Sequence, residues 1–157
     1  VASANFSNEA LFVLRRILVE GVGLEVVVPV FGGDQRRIKN SRGESVESTD
    51  AHPNARGASI LGFSIVDEAG LNSFVRESEG SLLVLDCEAH PWLRSEAAAE
   101  AVAGREVTVL ARTDSPLVKV ATRVLPLAAW SETEGTYTSS TGRVQLAQRA
   151  LPPRGQV

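Results

Sequence analysis

Apolar residues recur along this chain in two rhythms. In "SNEALFVLRRILVEGVG", from Ser7 to Gly23, Leu11, Leu14, Ile17 and Leu18 return at helical spacing. Ser7 or Asn8 is placed to cap that helix, Glu9 suits the positive end of its dipole, and Gly21 and Gly23 end it. "EVVVPV", from Glu25 to Val30, is an unbroken β-branched run that predicts a strand buried on both faces. Pro29 removes one ladder donor and points to an edge or a strand end.

The second half alternates regularly. Residues 67–80 predict a helix with Leu71, Phe74 and Val75 inward, and 81–87, "SLLVLDC", a buried strand. One helix is expected over 90–104, with Pro91 in its first turn and Gly104 at its end, then a strand over 106–112. A short helix over 115–121 leads to a short buried strand over 122–127 that Pro126 stops. Trp130 is large enough to pin the following loop to the domain. "TYT", the turn "SSTG" and "RVQLAQRAL" close the chain as a hairpin, with Arg143 and Gln145 on one face and Val144 and Leu146 on the other.

Strands alternating with helices of this length imply an α/β fold: a mostly parallel, Rossmann-like sheet covered by helices on both faces, with a C-terminal β-hairpin. We read residues 1–157 as one domain, with a helix and strand in 1–31, a polar excursion in 32–57 and the α/β core with its hairpin in 58–157. The excursion contains only Ile38 and Val46 as branched apolar residues, which favours a solvated loop. Its first half is basic and its second half acidic, but no aromatic residue interleaves the basic ones, which disfavours a nucleic-acid contact.

At 157 residues, 43% apolar and 22% charged, the chain is long enough to bury a core without staples. A net charge of −3 gives no general attraction to nucleic acid or anionic lipid. The longest apolar run near the N-terminus, Leu24 to Phe31, is too short to cross a bilayer as a helix, and no secretion signal precedes it, so an intracellular location is expected. The single Cys87 excludes an internal disulfide or an iron–sulfur cluster carried by this chain alone. Methionine is absent even at position 1, so the sequence is read as part of a longer or processed product.

Ligands of parallel α/β sheets bind outside the carboxyl ends of the strands, which singles out Asp86, Cys87, Glu88 and His90. Cys87 and His90 could form a thiolate with its base, or a metal corner with the two acids. With no second Cys or His cluster, an ordinary half-buried cysteine and a histidine near a helix start is the favoured reading; His52, in the polar excursion, is a poor partner. No glycine-rich phosphate loop follows any strand, and the two acids after "SLLVLD" would repel a pyrophosphate.

"RVLPLAAWSETEGTYTSSTGRVQ", residues 123–145, closely resembles a stretch of molybdopterin-type oxidoreductases, above all of the large iron–sulfur subunit of respiratory NADH:quinone oxidoreductase, complex I. "DAHPNARGASILGF", residues 50–63, is similar to that subunit's "PN.RGA..LG" segment. Glu134, Gly135, Thr136, Gly142, Arg143 and Gln145 match the motif, whereas Ser140 and Thr141 stand where the family tends to have Thr and Glu. The resemblance implies a structural and assembly portion of the peripheral-arm subunit, not catalytic by itself, with Gly142, Arg143 and Gln145 as inherited cofactor-contact positions. It implies no cofactor on this chain, iron–sulfur clusters elsewhere in the parent subunit, and other peripheral-arm subunits as partners. It also implies a cytoplasmic position at the inner face of the cell membrane, without nucleic acid and without insertion into the bilayer. In molybdopterin enzymes the turn after the strand equivalent to "SLLVLD" reads Gly-x-Asn-Pro and helps hold a guanine dinucleotide; "DCEAHP" lacks that Gly and Asn. The alternative implied is a dinucleotide-binding fragment of a formate-dehydrogenase-like oxidoreductase.

Overall fold

The computed structural model describes residues 1–39, 42–86 and 90–153. Helix α1 (Asn8–Leu14) starts at Ser7, whose Oγ accepts the Ala10 N–H at 3.2 Å, and continues into wider π turns over Arg15–Gly21. The change of pitch carries Ile17 out of the apolar stripe to 55% exposure, while Leu11 remains fully buried. Strand β1 (Val27–Pro29) follows, and β2 (Gly32–Lys39) and β3 (Ser45–Asp50) form an antiparallel pair. The excursion expected as a loop is thus a β-ribbon followed by helix α2 (Ala55–Ile60). Its backbone pairs with itself, so few apolar side chains are needed to form it.

Strand β4 (Ser64–Val66), which hydrophobic patterning missed, pairs with β1 in parallel. Helix α3 (Glu68–Glu77) is capped by Asp67, whose Oδ1 accepts the Gly70 N–H at 2.8 Å, a device worth about 1 kcal/mol. Strand β5 (Leu82–Asp86), α4 (Glu96–Ala101), β6 (Val107–Ala111), α5 (Pro116–Val120) and β7 (Arg123–Pro126) then build a parallel sheet of order β5-β6-β7. The helix expected over 90–104 is broken at Ser95. A 3-10 turn over Pro91–Arg94 ends there, and Ser95 takes extended backbone to cap α4. The last pair is the antiparallel hairpin of β8 (Gly135–Thr138) and β9 (Val144–Ala147).

The two parallel sheets are joined by the first residues of the chain. The Val1 nitrogen donates to the Leu83 carbonyl at 2.7 Å, Leu85 N–H donates to the Val1 carbonyl at 2.9 Å, and Ala2 N–H donates to the Val27 carbonyl at 3.0 Å. Val1 and Ala2 therefore lie between β1 and β5, giving the spatial order β4, β1, Val1–Ala2, β5, β6, β7.

Strand alternation sorts the core into two layers. Leu82, Val84, Val107 and Val109 pack with Leu71 and Val75 of α3, Trp92, Leu93, Ala98 and Leu117 on one face. Leu85, Val26 and Val28 pack with Leu11, Ala58 and Phe63 on the other. Each large apolar side chain fully removed from water contributes about 1.5–3 kcal/mol. The helices cover β1 and β5 more completely than β7. Val124 and Leu125 are 47% and 51% exposed, so the strand expected to be buried is an open edge. Leu127 N–H donates to the Ala111 carbonyl at 3.0 Å, so alternate residues 123, 125 and 127 face β6, and Pro126 turns its missing donor to the outside. A proline there blunts the edge without costing a ladder bond. Trp130 is 73% exposed and does not pin the loop to the domain; the Glu132 carboxylate instead accepts the Ala129 N–H at 2.9 Å and closes that turn.

Candidate functional site

Two places collect polar side chains at the ends of these elements. The first is the carboxyl edge of the parallel sheet. β5 delivers Asp86 there, almost fully buried, with one carboxylate oxygen 3.5 Å from the Arg94 guanidinium. His90 is fully buried; its Nδ1 accepts the Trp92 N–H at 3.2 Å, which places the proton of the neutral ring on Nε2. Among the described residues Nε2 has no hydrogen-bond partner. Burial lowers the His90 pKa below its ordinary value, against a smaller upward pull from the Glu68 carboxylate. Cys87 and Glu88 lie outside the described residues. His90 is thus a capping residue held neutral, and among the described residues no group of three or more His, Cys, Asp or Glu side chains could hold a metal ion.

Sequence reading set His52 apart from this edge, yet the fold brings the chain's two histidines to one phenylalanine. His52 Nε2 accepts the Phe31 N–H at 3.0 Å. The Phe31 ring lies edge-on to His52 at 4.6 Å and to His90 at 5.6 Å. Phe31 directly precedes β2 and His52 closely follows β3, so this bond closes the foot of the β2–β3 ribbon.

The second place is where the two resemblance segments meet. Asn54, which precedes α2, is fully buried; its Oδ1 accepts the Thr138 N–H at 2.8 Å and its Nδ2 donates to the Phe6 carbonyl at 2.8 Å. Asn8 Nδ2 donates to the Thr136 and Thr138 hydroxyls at 3.1 and 3.0 Å. The Glu9 carboxylate accepts the Thr136 hydroxyl at 2.6 Å and its N–H at 2.8 Å. Burial pushes the Glu9 pKa upward, but those two donors together with Ser7 and the helix backbone more than offset it, leaving the group below its ordinary value.

Two glycines allow the close approach. A Cβ on Gly57 would lie 2.1 Å from Asn54 Oδ1, and one on Gly135 would lie 2.4 Å from Ser7 Cβ. The motif residues Gly135 and Thr136, together with Thr138, therefore form a clasp with Ser7, Asn8, Glu9 and Asn54. Sequence reasoning marked both segments but missed that they touch; the signal was two small-and-amide motifs lacking any apolar reason to be there.

The predicted cofactor-contact positions fall beyond this clasp. Arg143 and Gln145 are exposed, and Gln145 stands across from Tyr137, on the ribbon face opposite Thr136 and Thr138. Gly142 turns the hairpin with φ +83°, and a Cβ placed there would meet nothing within 4 Å. At the carboxyl edge of β5, Asp86 is buried beside Arg94.

Residues 107–157, covering β6 to β9, match the family model of molybdopterin oxidoreductases, described as "Molybdopterin oxidoreductase". No curated protein and no solved structure matches the chain. Among the described residues no helix is long and apolar enough to cross a membrane.

Proposed function

We propose that this chain is a structural and assembly portion of the large peripheral-arm subunit of NADH:quinone oxidoreductase, built on a molybdopterin-oxidoreductase-like domain that holds no cofactor. One observation carries the reading: the motif residues Gly135 and Thr136, with Thr138 two positions on, are spent on docking their own hairpin to Ser7, Asn8, Glu9 and Asn54. A motif used for internal packing serves as a scaffold. The match over residues 107–157 and the "PNARGASILG" segment supply the family context.

The reaction of the assembly is an electron transfer between NADH and a quinone. In this reading the chain's own residues take no part in it; they hold a rigid surface against which other subunits pack. If a molybdopterin guanine dinucleotide were bound, Gly142, Arg143 and Gln145 would be the residues to contact it, and the open geometry around Gly142 argues against such a site.

The test is assembly in cells. A tagged chain should co-purify with the NADH-oxidising subunits and migrate with NADH dehydrogenase activity in a native gel. Calorimetry of the purified chain with molybdopterin guanine dinucleotide should give no heat of binding. Tight binding of that dinucleotide, abolished by Arg143→Ala, would overturn the scaffold reading and establish the cofactor-binding alternative.

A further inference from the structure

The terminal hairpin overhangs the domain by one strand. Thr136 and Thr138 turn their N–H groups to the Glu9 carboxylate and the Asn54 amide oxygen, away from β9. Thr136 stands across from Leu146 and Thr138 across from Val144, so these are the pairs that share no backbone hydrogen bond. The bond from the Ser139 N–H to the Arg143 carbonyl fits the same alternation. Val144 and Leu146 therefore point their own N–H and C=O groups outward, and among the described strands β9 pairs with β8 alone. Their side chains share a face with Thr136 and Thr138, yet each is 59% exposed, whereas Thr138 is buried. The body of the domain lies under β8 and stops short of β9.

Open backbone groups and exposed apolar side chains on one edge favour the addition of a strand. β7 is the contrasting case: Val124 and Leu125 are similarly exposed, but Pro126 turns outward and offers no donor. Residues 144–147 contain neither proline nor charge. The register of β9 indicates its occupant. Set antiparallel to itself about Gln145, the strand places Val144 across from Leu146 of a second copy and Leu146 across from Val144, so the outward groups of both residues find partners. Gln145 then meets Gln145 and Arg143 meets Ala147, so no like charges are opposed along the strand. The same pairing carries the turn of each hairpin toward the foot of the other, where Trp130 and Leu151 are exposed. We propose that β9 pairs with β9 of a second copy of this chain about a two-fold axis, joining the hairpins into one sheet of order β8-β9-β9-β8. A strand of unrelated sequence would have to supply this match, which a second copy already carries. The pairing rests on the hairpin alone and is independent of the scaffold reading.

Sedimentation velocity of the full chain should show a monomer–dimer equilibrium that moves to dimer as concentration rises. Val144→Lys/Leu146→Lys sets like charges against each other across the axis and should weaken dimerisation about ten-fold or more, while Val124→Lys/Leu125→Lys, on the similarly exposed β7, should leave it unchanged. The register has a test that weakens nothing. In a Cys87→Ser background, Gln145→Cys should form an intermolecular disulfide under mild oxidation, because position 145 lies on the axis opposite its own copy; Arg143→Cys, staggered away from its own copy, should not. A monomer at every concentration, a dimer indifferent to the β9 charges or equally sensitive to those on β7, or readier cross-linking through position 143 would overturn the proposal. Dimerisation with failed co-purification would refute the scaffold reading alone, and co-purification of a strictly monomeric chain would refute this pairing alone.

Discussion

The molecule contains two antiparallel hairpins of similar polar composition, and they are held in opposite ways. The terminal hairpin, β8–β9, is fixed along β8 by side-chain hydrogen bonds to two helix starts, with glycines at the points of closest approach. Among the described residues, the β2–β3 ribbon is held at its foot by the Phe31 N–H on the His52 imidazole and by the Phe31 ring against both histidines. A polar ribbon can thus join a domain without an apolar face, provided each buried donor and acceptor has a partner.

The strongest way to break this contrast is Asn54→Ala. It leaves the Thr138 N–H and the Phe6 carbonyl without their partner, and should cost about 3 kcal/mol in chemical denaturation, with proteolysis appearing first in the terminal hairpin. Unchanged stability would mean that the clasp is ornamental. His52→Ala should cost about 2 kcal/mol at most and act on the other hairpin alone. Its signature is faster amide exchange in β2 and β3 with normal protection in β8; equal loosening of both hairpins would dissolve the distinction.

Acid should separate the two in order. His90 is held neutral by burial, with its pKa lowered from 6.5, so its contribution is present above that value and is lost as pH falls through the lowered folded value. Glu9, lowered from 4.5, contributes above the ordinary carboxylate range and loses its effect further down. Near-ultraviolet and exchange measurements should therefore show the Phe31 region loosening before the terminal hairpin detaches. Glu9→Gln, which keeps one acceptor, should cost about 1 kcal/mol and remove the lower acid step. Arg143→Ala should be the mildest, within about 0.5 kcal/mol, because its side chain is exposed on the hairpin.

Periodicity made the α/β core readable because its strands are apolar on both faces and its helices carry caps. Val84 and Val109 could hardly lie anywhere but inside. It failed where backbone pairing, rather than side-chain burial, decides the outcome. β2 and β3 lack the apolar alternation that marks a half-buried strand, and β4 is only three residues long. Trp130 and Leu125 looked like core residues because size and hydrophobicity say nothing about whether a helix arrives to cover them. The clasp was legible only in pieces: Asn54 and Thr138 stand 84 residues apart, and only the fold reveals that their motifs complete each other.

The insertion of Val1 and Ala2 between β1 and β5 has a kinetic consequence. Val1 meets Leu83 across 82 positions of chain, so the middle of the sheet closes only after β5 exists. Such a distant pairing makes ring closure slow relative to the local helices.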